Sequence, residues 1–234
     1  MNASDPIGKA ILAFAKTGKP KDIVVSSDLS DDDIIPVEVL FRSYEEMPDL
    51  EKKALSMVRG KVLDIGAGAG PHSKYLVQQG FSVKAIDTSP GAVSYLQMQQ
   101  IDAECIDVRQ MKGATFDTLL CLMNGIGIAG SKAGLIPFLN HLKSLLNPKG
   151  QILCDSSDVK FLYEEEDGSY WMDLNNEYYG NFKFQLHYEK QSSDEFPWLY
   201  VDYETLHEAA QACGFKCQRI DLEENHFLAQ LVIP

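Results

Sequence analysis

Positive charge is scarce in this chain. Its 21 lysines and arginines face 34 aspartates and glutamates, which leaves a net charge of −13. A protein that neutralises a run of phosphates presents a basic face. No cluster of Lys and Arg stands out here, so nucleic acid is not expected as substrate or partner. The acidic surplus reads instead as a solvated, solubilising surface. Long apolar runs are missing too: none approaches the ~20 residues that a spanning helix needs. Ile7 to Ala15 is apolar but broken by Lys9, so neither a secretion signal nor membrane attachment is expected. Cysteine is sparse and badly placed for bridging. The five (Cys105, Cys121, Cys154, Cys213 and Cys217) are odd in number and scattered. Cys121 and Cys154 lie in apolar runs, where a thiol acts as a small hydrophobe. Cys213 and Cys217 have no second pair to complete a zinc site. A reducing, cytoplasmic setting fits this usage, and no metal is expected. Internal repeats and low-complexity segments are also lacking.

What is present centres on residues 61–91, KVLDIGAGAGPHSKYLVQQGFSVKAIDTSPG. Lys61 to Ile65 reads as a buried parallel strand. Gly66, Gly68 and Gly70 follow, then a helical pattern from Pro71 to Gln79, with Gly80 placed as a C-cap. A second apolar run, Phe81 to Ile86, ends in Asp87. This is a βαβ unit with a glycine-rich loop at the carboxyl end of its first strand. Open α/β sheets bind ligands there, and an acid ending the second strand, 21 residues after Gly66, can accept both hydroxyls of a ribose. The unit therefore points to an adenosine-type ligand. A dinucleotide fingerprint would read G-x-G-x-x-G, and its last position is Pro71 here; a P-loop is excluded because no G-K-[ST] follows.

The remaining chain continues the alternation. Ser89 caps a helix over 90–100. Strands are predicted over 103–106, 116–123 and 151–155, with a helix over 134–146 whose Pro137 is placed in the first turn. The glycine-rich loop 124–130 ends the central strand. An aromatic-rich insert at about 156–200 interrupts the pattern, with a predicted strand over 183–188. A helix capped by Asp202 and an antiparallel pair, 215–222 and 227–233, close the chain. The expected fold is α/β: a Rossmann-like, seven-stranded, mostly parallel sheet with an antiparallel last strand and helices on both faces. Residues 1–58 are expected to form an N-terminal helical lid or flank, too small to fold alone, and residues 59–234 the main domain.

The pattern acid-x-G-x-G-x-G from Asp64 to Gly70, with Asp87 and Asp107 at the next strand ends, resembles the first motifs of the class I methyltransferases that use S-adenosylmethionine (SAM). The phrase FRSYEEMP, Phe41 to Pro48, is similar to small bacterial members of unassigned substrate. The resemblance implies SAM as cofactor and S-adenosylhomocysteine as product, with in-line transfer of the methyl to a small-molecule acceptor. It implies that the loop of Gly66, Ala67, Gly68 and Gly70 passes under the methionine part, with Asp64 at its base. Asp87 would hold the ribose hydroxyls, Thr88 would lie beside the adenine, Asp107 would accept from its amino group and Val108 would pack on its ring. Leu122, Met123 and Asn124 would border the methyl.

Catalytic candidates are His72, Tyr44, Asn124 and Asp158. His72 faces either the methyl-transfer site or solvent; Asn124 is either a site residue or a turn residue. Substrate candidates are Arg42 and Tyr44, a clamp or a structural pair, and Trp198 and Tyr200 of the insert, pocket wall or sheet cover. Two other functions remain open on these residues: a non-catalytic SAM-binding regulatory protein and a nicotinamide-dependent Rossmann oxidoreductase.

Overall fold

Two sheets set the architecture. The computed structural model describes residues 4–164, 167, 169, 170 and 178–234. Helix α1 (Pro6–Thr17) is capped by Asp5, whose carboxylate accepts from the Gly8 amide at 2.9 Å, and Pro6 sits in the first turn, where no amide is needed. A hairpin follows, β1 (Ile23–Ser27) and β2 (Asp33–Ile35). Two short 3-10 turns, Val37–Phe41 and Tyr44–Glu46, then lead to α2 (Asp49–Ser56).

From there the chain alternates: β3 (Val62–Ile65), α3 (Pro71–Gln78), β4 (Val83–Asp87), α4 (Pro90–Met98) and β5 (Ala103–Cys105). Next come β6 (Phe116–Cys121), α5 (Lys132–Ser144) and β7 (Leu146–Ser157). The insert supplies β8 (Asn181–Tyr188), β9 (Gln191–Ser192) and β10 (Phe196–Leu199). Helix α6 (Tyr203–Ala212), β11 (Lys216–Glu223) and β12 (His226–Val232) complete the chain. Helix α5 begins two residues before the predicted start because Ser131 caps it, accepting from the Gly134 amide at 3.1 Å. That places Pro137 in the second turn rather than the first.

The larger sheet has the order β11-β12-β7-β6-β3-β4-β5. The β7-β6-β3-β4-β5 pairs are parallel, and β12 runs antiparallel to both its neighbours. This is the seven-stranded arrangement expected from sequence. Chain direction across the sheet reverses between β3 and β6, so the ligand crevice falls outside the carboxyl ends of these strands.

Side-chain alternation divides the core between the two faces. Leu63, Ile65, Leu119, Cys121, Ile152 and Cys154 pack with Phe138 and Leu139 of α5 and Leu206 of α6. Val62, Leu120, Leu122, Leu153 and Leu228 pack with Leu50 and Ala54 of α2 and Leu76 of α3. The same alternation carries Asp64, Asp155 and His226 to the α2/α3 face, at the carboxyl edge.

The second sheet has the order β10-β8-β1-β2, with β9 on β8. Strand β1 pairs with β8 from Val24 opposite His187 to Ser27 opposite Phe184. The expectation of a helical N-terminal lid is therefore corrected: the segment also contributes a hairpin, and that hairpin hydrogen-bonds to the insert. A lone hairpin is marginal in water, and the pairing of β1 with β8, which carries β10 on its other side, provides the extra strands it needs.

Candidate functional site

The glycine loop is shaped by its backbone. Gly66, Gly68 and Gly70 all have positive φ (+72°, +57° and +76°), a region that side chains resist. The amides of Gly66 and Ala67 both donate to the Ile86 carbonyl, at 2.9 and 3.1 Å, which ties the loop to the end of β4. A Cβ on Gly68 would meet no atom within 4 Å, so the space in front of the loop is open to a ligand. A Cβ on Gly70 would strike Leu96 of α4, so that glycine permits close helix packing. At the base of the loop the buried Asp64 accepts from Ser73 Oγ of α3 at 2.6 Å.

Asp87 ends β4 and grips the loop. Its Oδ2 accepts from the Gly68 amide and its Oδ1 from the Ser89 amide, both at 2.8 Å. Burial pushes its carboxyl above the usual range, the two amides pull it back, and Asp5 and Asp64 add repulsion. Asp5 is close because its Oδ2 accepts from Ser89 Oγ and the Gly91 amide, both at 2.9 Å. Helix α1 is thereby pinned to the start of α4, beside Asp87.

The other cofactor candidates have varied settings. Thr88 is exposed. Asp107 is already engaged by Arg109, whose Nη2 donates at 2.6 Å and whose guanidinium holds the carboxyl below the usual range. Val108 is a core residue, 3 % exposed, rather than an open apolar wall. Leu122 packs into the α2/α3 core, while Met123 is well exposed. Met123 and Asn124 both adopt left-handed backbone, φ +60° and +57°.

Asn124 is a locked turn residue. Its Nδ2 donates to the Leu199 carbonyl at 3.3 Å and its Oδ1 accepts from Ser156 Oγ at 2.8 Å. The turn is held from below by Asp155, which accepts from the Met123 amide at 3.1 Å and the Asn124 amide at 2.7 Å. Asp155 also lies 3.0 Å from His226 Nε2.

The remaining candidates are committed elsewhere. His72 is buried and its Nε2 lies 2.7 Å from Glu51 Oε2; Arg42 Nη2 donates to the same carboxylate at 2.6 Å. Arg42 is therefore paired with Glu51 and not with Tyr44, which stacks on Tyr75 at 4.1 Å. Burial opposes the Glu51 charge, but His72 and Arg42 prevail and hold its carboxyl below the usual range. Asp158 caps the 3-10 turn Val159–Tyr163, accepting from the Lys160 amide at 3.0 Å and from Tyr179 Oη at 2.9 Å. Trp198 lays its indole against Gly127, in the turn that follows β6. Tyr200 packs edge-on to Phe182 and Phe184, and burial pushes its phenol up, with Asp33 and Asp155 adding to the effect. Trp198 against Gly127, the Leu199 carbonyl on Asn124 Nδ2 and the Val201 amide on Ser156 Oγ join the second sheet to the carboxyl edge of the first.

Sequence reasoning missed Glu51, Asp155 and His226. Asp155 carries the same signal that singled out Asp87, an acid at a strand end. Glu51 and His226 carry none, since each is one polar residue in an ordinary amphipathic stretch.

A sheet of this order, with a glycine loop and an acid-tipped strand at its switch point, defines a nucleoside-binding α/β protein. Residues 39–220 match the family model described as a methyltransferase domain. The chain is 41% identical to a SAM-dependent methyltransferase from Bacteroides fragilis, solved in complex with S-adenosyl-L-homocysteine; the match covers 98% of this chain and 95% of that one, with a TM-score of 0.92. It is 25% identical over 197 residues to the putative methyltransferase YqeM of Bacillus subtilis, covering 69% of this chain and 76% of that relative. CalS10, an amino pentose methyltransferase from Micromonospora echinaspora, shares the fold at a TM-score of 0.56 and 14% identity, over 84% of this chain and 96% of that one. The chain belongs to the SAM-dependent methyltransferases, and SAM is its methyl donor. This sets aside the nicotinamide oxidoreductase and the non-catalytic module.

Proposed function

We propose that this methyltransferase moves the SAM methyl to a small-molecule acceptor seated between the Met123–Asn124 turn and the second sheet. The observation that carries the cofactor half is the joint grip of Asp87 on the Gly68 and Ser89 amides, with open space in front of Gly68. Asp87 would accept from the ribose hydroxyls, and the loop Gly66–Gly70 would lie under the methionine part, over Asp64. Asp107 would reach the adenine amino group while shared with Arg109. The bound sulfonium supplies a methyl already activated for displacement. The chain's own residues contribute alignment and exclusion of water, which in favourable cases are worth roughly 7–11 kcal/mol.

The acceptor half rests on the cover. The N-terminal segment and the insert share one sheet, Trp198 reaches the first sheet's edge from it, and Tyr200 packs on Phe182 and Phe184 of β8. We read residues 1–58 and the insert as one cover over the main domain. The net charge of −13 argues against a polyanionic acceptor. Among the described residues no helix is long and apolar enough to cross a membrane, and all five cysteines are free, which supports a reducing compartment such as the cytoplasm.

The test is label transfer. The purified chain, incubated with methyl-labelled SAM and a filtered metabolite pool, should pass label to a small molecule. Label found only on polypeptide or RNA in an unfiltered extract would overturn the acceptor class.

A further inference from the structure

We propose that His226, held by Asp155, takes up the proton that the methyl acceptor loses. The acceptor is then a nucleophile with both a lone pair and a proton on the accepting atom, a hydroxyl or a primary or secondary amine, rather than a thioether or a tertiary amine. This rests on the methyl-transfer reading above and deepens it.

The geometry begins with Asp155, which is 1% exposed. A buried carboxylate needs donors, and it has three: the Met123 amide, the Asn124 amide and His226 Nε2. Two of these belong to the turn at the end of β6; the third belongs to the first residue of β12. An Nε2–H that donates to a carboxylate leaves the ring's lone pair on Nδ1. Among the described residues Nδ1 has no hydrogen-bond partner, and the side chain is 37% exposed. Asp155 thus fixes the tautomer of a half-open imidazole and the backbone turn of the proposed methyl site together.

The other histidines do not offer this. His72 is buried against Glu51, and His141 Nε2 donates to the Val108 carbonyl. His187 bonds Ser26 and Ser192 through its two nitrogens, and His207 bonds Tyr203 and Gln211. Asp158 is engaged by the Lys160 amide and Tyr179, and Tyr44 stacks on Tyr75.

The proton balance is simple. The acceptor's lone pair forms the new bond to the methyl carbon, and the carbon–sulfur bond breaks with its electron pair left on the sulfide. The acceptor's proton passes to Nδ1, making an imidazolium that Asp155 stabilises. The charges that act on His226 most strongly are acidic: Asp155 of β7, Glu223 opposite it on β11, and Glu51 of α2, whose carboxylate also holds Arg42 and His72. They hold its pKa above the ordinary histidine value, the Asp155 hydrogen bond most of all. Transfer should therefore slow as pH falls through a value higher than that of a free imidazole.

The test uses the full chain, methyl-labelled SAM and the filtered metabolite pool. His226→Gln should lower kcat for label transfer by about 100-fold or more, while S-adenosylhomocysteine binding by calorimetry stays within about twofold. Asp155→Asn, a change at a positioning residue, should move the His226 titration seen by NMR to lower pH and shift the acid limb of the rate profile with it. Full transfer by His226→Gln, an acid limb that does not follow the His226 titration, or a labelled product whose accepting atom carried no proton would each overturn the inference. Absence of transfer by the wild-type chain would instead sink the small-molecule reading beneath it, and this inference with it.

Discussion

Asp155 Oδ2 accepts from His226 Nε2 at 3.0 Å and, on the same oxygen, from the Met123 amide at 3.1 Å. One buried carboxylate therefore joins the last strand of the sheet to the turn that ends its central strand. Left-handed backbone at two successive non-glycine residues costs on the order of 1–3 kcal/mol each. The Asp155 contacts to Met123 and Asn124 help to offset that cost.

The pairing has a signature in stability. The folded pKa of His226 lies above its ordinary value of 6.5, with the Asp155 hydrogen bond as the main cause. Its contribution is therefore fully present below that ordinary value and fades as pH rises through the folded one. Urea unfolding should show His226→Ala less stable than wild type by a larger margin at about pH 6 than at about pH 9. Equal margins would show that the pair is not charged in the folded state.

Cofactor affinity should hinge on Asp87. Asp87→Ala should weaken S-adenosylhomocysteine binding at least tenfold, or about 1.4 kcal/mol, in a chain whose circular dichroism is unchanged. Burial raises the Asp87 carboxyl, and ribose hydroxyls donating to it would favour the charged form. Binding should then release a proton and weaken as pH falls through the raised value. Calorimetry at acidic pH, near that raised value, in two buffers of different ionisation enthalpy reads that proton, and a heat independent of buffer there would contradict the assignment.

The Arg42–Glu51–His72 cluster should behave as a structural tie. The Arg42 and Glu51 side chains are 8% and 6% exposed. Removing one member of a buried pair strands the other, at a cost of about 3–5 kcal/mol. Arg42→Ala should lower the unfolding midpoint accordingly, and Arg42→Lys should fail to restore it, because lysine cannot reproduce the guanidinium fork. The folded pKa of Glu51 lies below its ordinary 4.5, as His72 and Arg42 outweigh the burial that would raise it. Its contribution is present above that value and is lost as pH falls through the folded one. The wild-type advantage over Arg42→Ala should therefore shrink in acid.

The glycines of the loop should separate by role. At Gly70 a Cβ would run into Leu96, and φ is already +76°; Gly70→Ala should cost roughly 1–3 kcal/mol of stability. At Gly68 the space is open and only the backbone objects. Gly68→Ala should lose more in cofactor binding than in stability. The reverse ranking, read by thermal unfolding and calorimetry, would mean that the cofactor does not pass over Gly68.

The sequence by itself determined the main sheet and its ligand edge. Strand period, glycine spacing and the acids at strand ends are local signals, each carried by a few neighbouring residues. They were enough for seven strands, an antiparallel last strand and the Gly66–Asp87 unit. Tertiary structure decided what joins across the chain. Val24 meets His187 in one ladder, Arg42 meets His72 through Glu51, and Asp155 meets His226, 71 residues away. A lone carboxylate or imidazole in an amphipathic stretch looks the same whether it faces water or a partner. Only packing fixes that: it excludes water from Asp155 and so makes its three donors a requirement. The residues proposed to bind the cofactor were therefore legible beforehand, while those proposed to handle the acceptor's proton emerged only when the strands were brought side by side.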